Sequence, residues 1–146
     1  MKKFDFRLQS LLRLRNFKEE KLKAEMGEIV SKMNNTRDDI MNLNQDIEDA
    51  YNAQNKFLNE KIGGQIIRFF GFYVQGKRDH IKVKQTEMEV LKKQYEDKSI
   101  ELAKAMGDVK VIENIKKKQF DQYRVNHNKK IQEEIEDLLR MKNENG

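Results

Sequence analysis

The sequence predicts an all-α fold: two long helices folded back on each other as an antiparallel coiled-coil hairpin. Three observations predict it. Apolar residues recur with heptad spacing from Leu8 to Ala50, a second apolar stripe starts at Ile81, and Gly63-Gly64 separates the two in a chain without proline. A repeat of 3.5 residues means a helix pressing a narrow seam against another helix, and the absence of proline leaves long helices unbroken.

In the first segment Leu12, Met26, Met33, Ile40 and Ile47 take the a positions. Leu8, Leu22, Ile29, Thr36, Leu43, Ala50 and Phe57 take the d positions, and only Glu19 at a and Arg15 at d interrupt the stripe between Leu8 and Ala50. The expected helix runs from about residue 6 to 61, about 80 Å at 1.5 Å per residue. Gly63-Gly64 is expected to end it, with one residue left-handed, and a glycine and aromatic turn region is expected over 62–77. Gly71 and Gly76 lie in that region, and at about 1 kcal/mol per helical glycine they predict a stretch that orders on binding.

The second helix is expected over about 78–141, through Ile81, Met88, Leu91, Tyr95, Leu102, Ala105, Val109 and Ile112. Its seam then drifts through Lys116, Phe120, Tyr123, His127, Ile131, Ile135 and Leu138, where four-residue steps replace threes as in a stutter. Residues 142–146 are expected to fray. The chain reads as one elongated domain over residues 1–146. A single continuous helix dimerising in parallel is the competing arrangement; the glycine pair and the matched segment lengths favour the hairpin. Such a hairpin has no interior beyond its seam, which predicts modest isolated stability and a role for oligomerisation or a partner.

Composition agrees. Of the 146 residues, 38% are charged against 37% hydrophobic, whereas globular domains run near ~25% and ~45–50%, so a thick core is not available. Cysteine and tryptophan are absent, which removes disulfides, thiolate metal sites and cysteine nucleophiles. Met1-Lys2-Lys3 looks like the charged start of a signal peptide, but Asp5 and Arg7 occupy the place of its apolar core, so none is expected. The least polar stretch, from Gly63 to Val74, is short and split by Arg68, so no membrane span is expected.

The net charge of +5 is unevenly spread. Residues 1–26 hold eight basic and four acidic side chains, and residues 104–130 hold eight and three. Between them, residues 27–60 hold three basic and seven acidic. Folded as a hairpin, the two basic stretches lie side by side, and screening over ~8–10 Å makes that tolerable. The result is an electropositive tip able to steer an acidic partner. Ordinary solvation of a coiled-coil surface is the simpler explanation of the same charges. Nucleic acid is not expected as partner, since no helix-turn-helix, RNP motif or basic region feeding a zipper is present and Lys116-Lys117-Lys118 is short.

No catalytic constellation, metal site or cofactor site is expected. Gly63-Gly64 precedes no Gly-Lys-Ser/Thr, and Gly71 and Gly76 make no dinucleotide fingerprint. His80 and His127 are too far apart along the chain to act together, and Asp38, Asp39, Asp46 and Asp49 read as carboxylates on an exposed face without a calcium loop. An extended coiled coil also offers no deep cavity for catalysis, so the chain is not expected to be an enzyme. The unusual feature is Phe69, Phe70, Phe72 and Tyr73, four of twelve aromatics within five positions. On a helix they spread over more than half the circumference, so capping of the seam and contact with a partner both stay open.

Several stretches carry a family resemblance. Phe4-Asp5-Phe6-Arg7-Leu8-Gln9-Ser10-Leu11-Leu12-Arg13-Leu14-Arg15, followed by Lys18-Glu19-Glu20, resembles the F-x-F-R-L-x-x-L-L-x-x-R opening of the FliJ family of the bacterial flagellar type III export apparatus. Val111-Ile112-Glu113-Asn114-Ile115-Lys116-Lys117-Lys118 and then Tyr123-Arg124 are similar to its L-E-x-L-K-x-K…Y-R segment. Ile131-Gln132-Glu133-Glu134-Ile135-Glu136-Asp137 resembles its closing E-Q-K-x-x-D-E, and Phe70, Tyr73 and Val74 lie where the family carries Y-x-x-Y-L. The likeness spans nearly the whole chain.

The resemblance implies a non-enzymatic export component, an antiparallel coiled coil similar to the stalk of rotary ATPases, in the service of flagellar assembly and motility. It implies three partners: the hexameric flagellar export ATPase FliI, the cytoplasmic domain of the export gate protein FlhA, and substrate-specific export chaperones. It also implies a cytoplasmic protein attached to the inner-membrane gate only through those partners. By that resemblance the gate contact falls on Tyr73 and Lys77, and the aromatic cluster beside them extends the candidate gate-binding residues to Phe69, Phe70, Phe72 and Val74. Lys77 departs from the hydrophobic residue of some relatives, which shifts weight to Phe72 and Val74. Charge placement together with the family role assigns the ATPase contact to Arg7, Arg13, Arg15, Lys117, Lys118 and Arg124.

Overall fold

The computed structural model describes residues 3–58 and 63–145. They form two α-helices, α1 (Gln9–Leu58) and α2 (Gly64–Glu144), packed against each other as an all-α helical hairpin, with no strand among the described residues. The helix α1 starts where the Gln9 N–H donates to the Phe6 carbonyl (3.1 Å) and the Leu12 N–H to the Leu8 carbonyl (2.9 Å).

The heptad assigns the seam correctly, but its two rows differ in depth. Leu22, Ile29, Thr36, Leu43 and Ala50, all d positions, are buried, whereas Met26, Met33, Ile40 and Ile47 at a are half-buried. Two helices enclose only a thin seam, so no described side chain is completely sealed from solvent. Thr36 is tolerated in that row because its hydroxyl donates to the Lys32 carbonyl one turn earlier (2.9 Å), leaving its methyl to pack. Phe57, expected to continue the d row, is 40% exposed and lies against Phe70 instead (centroids 5.9 Å).

The connection differs from the sequence expectation. The end of α1 is Leu58, and the expected continuation to residue 61 falls on Asn59–Ile62, outside the described residues. Gly63 and Gly64 do not terminate α1 with a left-handed residue; neither has a positive φ, and Gly64 opens α2, with the Gly63 carbonyl accepting the Ile66 N–H (3.1 Å). The stretch expected as a turn over 62–77 is therefore helical from Gly64 onward. Packing overrides the glycines: Phe70 meets Phe57 and Val74 is buried in the seam, which outweighs about 1 kcal/mol per glycine. At the other end α2 continues past the expected 141 to Glu144, and the Asn145 N–H still donates to the Met141 carbonyl (3.1 Å).

Contacts divide the chain into two compact units. One, the terminal unit, comprises Met1–Lys21 and Leu102–Gly146; the other, the connection unit, comprises Leu22–Glu101. The terminal unit has its own apolar cluster, in which Phe6, Leu12, Val109 and Ile112 are buried and Phe4, Leu8, Leu11 and Ile115 pack around them. The non-helical start of the chain lies against α2 there, with the Phe4 ring 5.3 Å from Phe120 and 5.6 Å from Tyr123.

Candidate partner-binding surfaces

In the connection unit, positions of α2 that the heptad reserves for apolar side chains are held by lysines. Lys77, Lys84 and Lys98 are half-buried and each reaches across to an acid of α1: Lys77 to Asp46 at 3.0 Å, Lys84 to Asp39 at 3.2 Å and Lys98 to Glu25 at 2.6 Å. Each heptad forward along α2 is matched by one heptad back along α1, which is the signature of an antiparallel pair in fixed register. Lys84 and Lys98 also touch an acid of their own helix, Glu87 (3.4 Å) and Glu101 (3.6 Å). All three lysine pKa values are raised, in each case chiefly by the hydrogen bond that the ammonium donates to the α1 carboxylate, against an opposing contribution from burial.

Asp39 and Asp46, expected on an unengaged exposed face, are thus part of the fastening between helices. The signal was available: the three lysines stand one and two heptads apart, and so do the acids in reverse order. It is invisible to a search for apolar periodicity alone.

The aromatic group beside the connection splits by exposure. Val74 is buried in the seam and Phe70 is half-buried against Phe57. Phe72 is 79% exposed and Phe69 63%, with the Tyr73 ring stacked 6.4 Å from Phe69. Lys77 lies over Tyr73 (5.2 Å from its centroid) while bonded to Asp46. Of the six residues assigned to a gate contact, Val74 and Lys77 are therefore occupied within the hairpin, and Phe69, Phe72 and Tyr73 face solvent. Capping and display, left open by the sequence, are both present, on different rings.

In the terminal unit the basic stretches do meet. The Lys116 amine donates to the Gln9 side-chain carbonyl (2.8 Å) and lies 5.7 Å from the Phe6 ring, which sets Lys117 and Lys118 beside the start of α1. Arg7, Arg13, Lys117, Lys118 and Arg124 are exposed, and none has an ion-pair partner among the described residues. Arg15 is different: it is half-buried and donates from Nη1 to the Asp108 carbonyl (2.9 Å), so its guanidinium is spent on the seam that it interrupts.

The grooves are open and shallow, and one of them is lined by Asp46, Asp49, Ala50, Phe69, Phe70 and Tyr73. His80 is exposed, His127 stacks on Tyr123 (5.8 Å), and no group of three or more metal-ligating side chains occurs among the described residues. No described helix is long and apolar enough to cross a membrane. The arrangement presents exposed rings in one unit and, in the other, cations without an ion-pair partner among the described residues.

No curated protein and no solved structure matches the chain significantly. A family model, that of the flagellar FliJ protein, matches residues 3–142, nearly the full length. With a two-helix hairpin of the expected kind and that coverage, the chain belongs to the flagellar FliJ protein family, whose members are components of the flagellar export apparatus.

Proposed function

We propose that the protein is a non-enzymatic adaptor of flagellar protein export that docks on the hexameric export ATPase through its terminal unit and promotes its assembly and activity. The observation that carries this reading is the set of exposed cations on the terminal unit, Arg7, Arg13, Lys117, Lys118 and Arg124, none neutralised by an acid among the described residues. Uncommitted surface charge of one sign accelerates encounter with an oppositely charged surface and selects against like-charged ones. The exposed rings Phe69, Phe72 and Tyr73 supply the second contact, with the cytoplasmic domain of the export gate, and the same protein escorts substrate-specific chaperones. On this reading the protein is cytoplasmic and reaches the membrane only through the gate.

The test is a pull-down with the cognate export ATPase, together with its rate of ATP hydrolysis. Wild-type protein binds and stimulates; Arg7→Glu/Arg13→Glu binds weakly and stimulates little while keeping full helicity. Stimulation unchanged by the double reversal removes the assignment. A parallel titration with the gate domain separates the second surface. Phe69→Ala/Phe72→Ala loses gate binding, and that binding is far less sensitive to salt than the ATPase contact. Tight binding to arbitrary nucleic acid that falls steeply with salt would instead favour a phosphate-binding role for the basic unit.

A further inference from the structure

A groove of about 270 Å³ runs along one side of the connection unit, lined by Asp46, Asp49 and Ala50 of α1 and by Phe69, Phe70 and Tyr73 of α2. The Phe69 ring stands between the other two, its centroid 6.0 Å from Phe70 at 69° and 6.4 Å from Tyr73 at 28°. Phe69 is 63% exposed, and Asp49 is exposed as well. An open ring and a solvated carboxylate thus line the same groove, one from each helix.

The charge of its walls is one-sided. Residues 38–55 hold Asp38, Asp39, Asp46, Glu48 and Asp49 and no base, and residues 69–76 hold no charge at all. At the end away from the connection the chain supplies its own cation: the Lys77 amine binds Asp46 at 3.0 Å and lies 5.2 Å from the centroid of Tyr73. One turn nearer the connection the carboxylate and the ring recur, three residues on along α1 as Asp49 and four back along α2 as Phe69. The cation does not recur, because the position one turn before Lys77 is Tyr73 itself. Asp49 accepts the neutral side-chain amide of Gln45 (2.9 Å), and neither Lys56 nor Arg68 pairs with it or lies over Phe69 among the described residues.

We propose that the Asp49–Phe69 half of this groove takes an arginine side chain of the partner that docks on the exposed rings, with its guanidinium flat on Phe69 and its N–H fork on Asp49. A guanidinium suits both walls at once: it is planar, stacks on aromatic faces, matches a carboxylate with two parallel N–H groups and is more weakly hydrated than an ammonium. An acidic side chain would meet the negative face of the ring and a carboxylate of its own sign. A single exposed contact of this kind fixes which partner docks, and in which orientation, more than it adds affinity. Only the partner's identity rests on the reading of these rings as the gate contact; the preference for a cation rests on the groove itself.

The experiment has two arms, both on the full chain. In the first, the protein alone is titrated with N-acetyl-arginine amide and followed by NMR, beside its uncharged counterpart N-acetyl-citrulline amide. Arginine shifts the signals of residues 46–50 and 69–73, citrulline does not, and Asp49→Lys abolishes the response with helicity unchanged. Residues 133–137, whose exposed acids have no ring contact among the described residues, respond less and serve as the internal control. Equal shifts with citrulline, a response at 46–50 and 69–73 no larger than at 133–137, or indifference to Asp49→Lys overturns the proposal. In the second arm the gate domain is titrated: Asp49→Lys weakens its binding about tenfold, whereas Glu48→Lys, the same charge change about 100° round the helix, leaves it unchanged. Equal losses in the two variants, or none in either, overturn the placing of the partner's arginine in the groove. A gate domain that does not bind wild-type protein, with the arginine response intact, removes the gate reading and supports the groove as a cation site.

Discussion

The two units of the hairpin are fastened differently, and the difference separates structure from function. In the connection unit the cations belong to the seam: Lys77, Lys84 and Lys98 bind Asp46, Asp39 and Glu25 at heptad intervals. In the terminal unit the seam is carried by Phe6, Leu12, Val109 and Ile112, and the cations Arg7, Arg13, Lys117 and Lys118 face solvent. A coiled coil needs charge for solubility everywhere. Where carboxylates meet the lysines across the seam, charge sets register; where an apolar cluster already does so, the cations named have no ion-pair partner among the described residues.

The largest expected effect is on the apolar cluster. Ile112→Ala or Leu12→Ala, each about 5% or less exposed in the native chain, should cost about 2–3 kcal/mol by denaturant unfolding, at the lower end for core truncations because a two-helix seam can partly collapse. If these changes prove neutral, the terminal unit is not held by the cluster. Next comes Lys84→Glu, which sets a carboxylate against Asp39 and Glu87 and should lower the melting temperature. Adding Asp39→Lys should recover most of that loss if the cross-helix pair is real, whereas a merely additive double variant would break the register argument.

Alkaline pH sharpens the same contrast. The folded-state pKa values of Lys77, Lys84 and Lys98 lie above the ordinary lysine value of 10.5, so the charged form is favoured by folding. Their contribution is fully present below the unfolded-state pKa and is lost as pH rises through the folded-state values. Hydrogen exchange should therefore show amides of the connection unit losing protection above about pH 10.5, in a range where Lys84→Met protein is less affected. The smallest effect is a gain. A Cβ at Gly71 or Gly76 would meet nothing within 4 Å, and neither has a positive φ, so each Gly→Ala change should stabilise α2 by about 0.5–1 kcal/mol.

Apolar periodicity made the hairpin and most of the d row legible, because burial of a leucine or isoleucine every seven residues leaves a direct trace. It did not reveal the lysine rungs, since a lysine whose stem packs in a seam and whose amine meets a carboxylate looks in a sequence like any surface lysine. It also misread the start of α2. Gly63, Gly64, Gly71 and Gly76 argue locally for a turn, and only the packing of Phe70 and Val74 against α1 overrides them. Among the residues assigned to partner contacts, residue type did not show which way each side chain is turned. Arg15 faces the Asp108 carbonyl and Val74 the seam, whereas Arg13 and Phe72, two positions away in each case, face solvent.

The most direct test of this division of charge is calorimetric titration of the cognate export ATPase with three forms of the protein: wild type, Arg13→Glu/Lys117→Glu, and the swapped rung Lys84→Glu/Asp39→Lys. The terminal-unit variant should bind at least about tenfold more weakly with an unchanged melting temperature, and the swapped rung should bind like wild type. Equal affinity for all three, or a loss confined to the swapped rung, would contradict the assignment of the free cations to the partner.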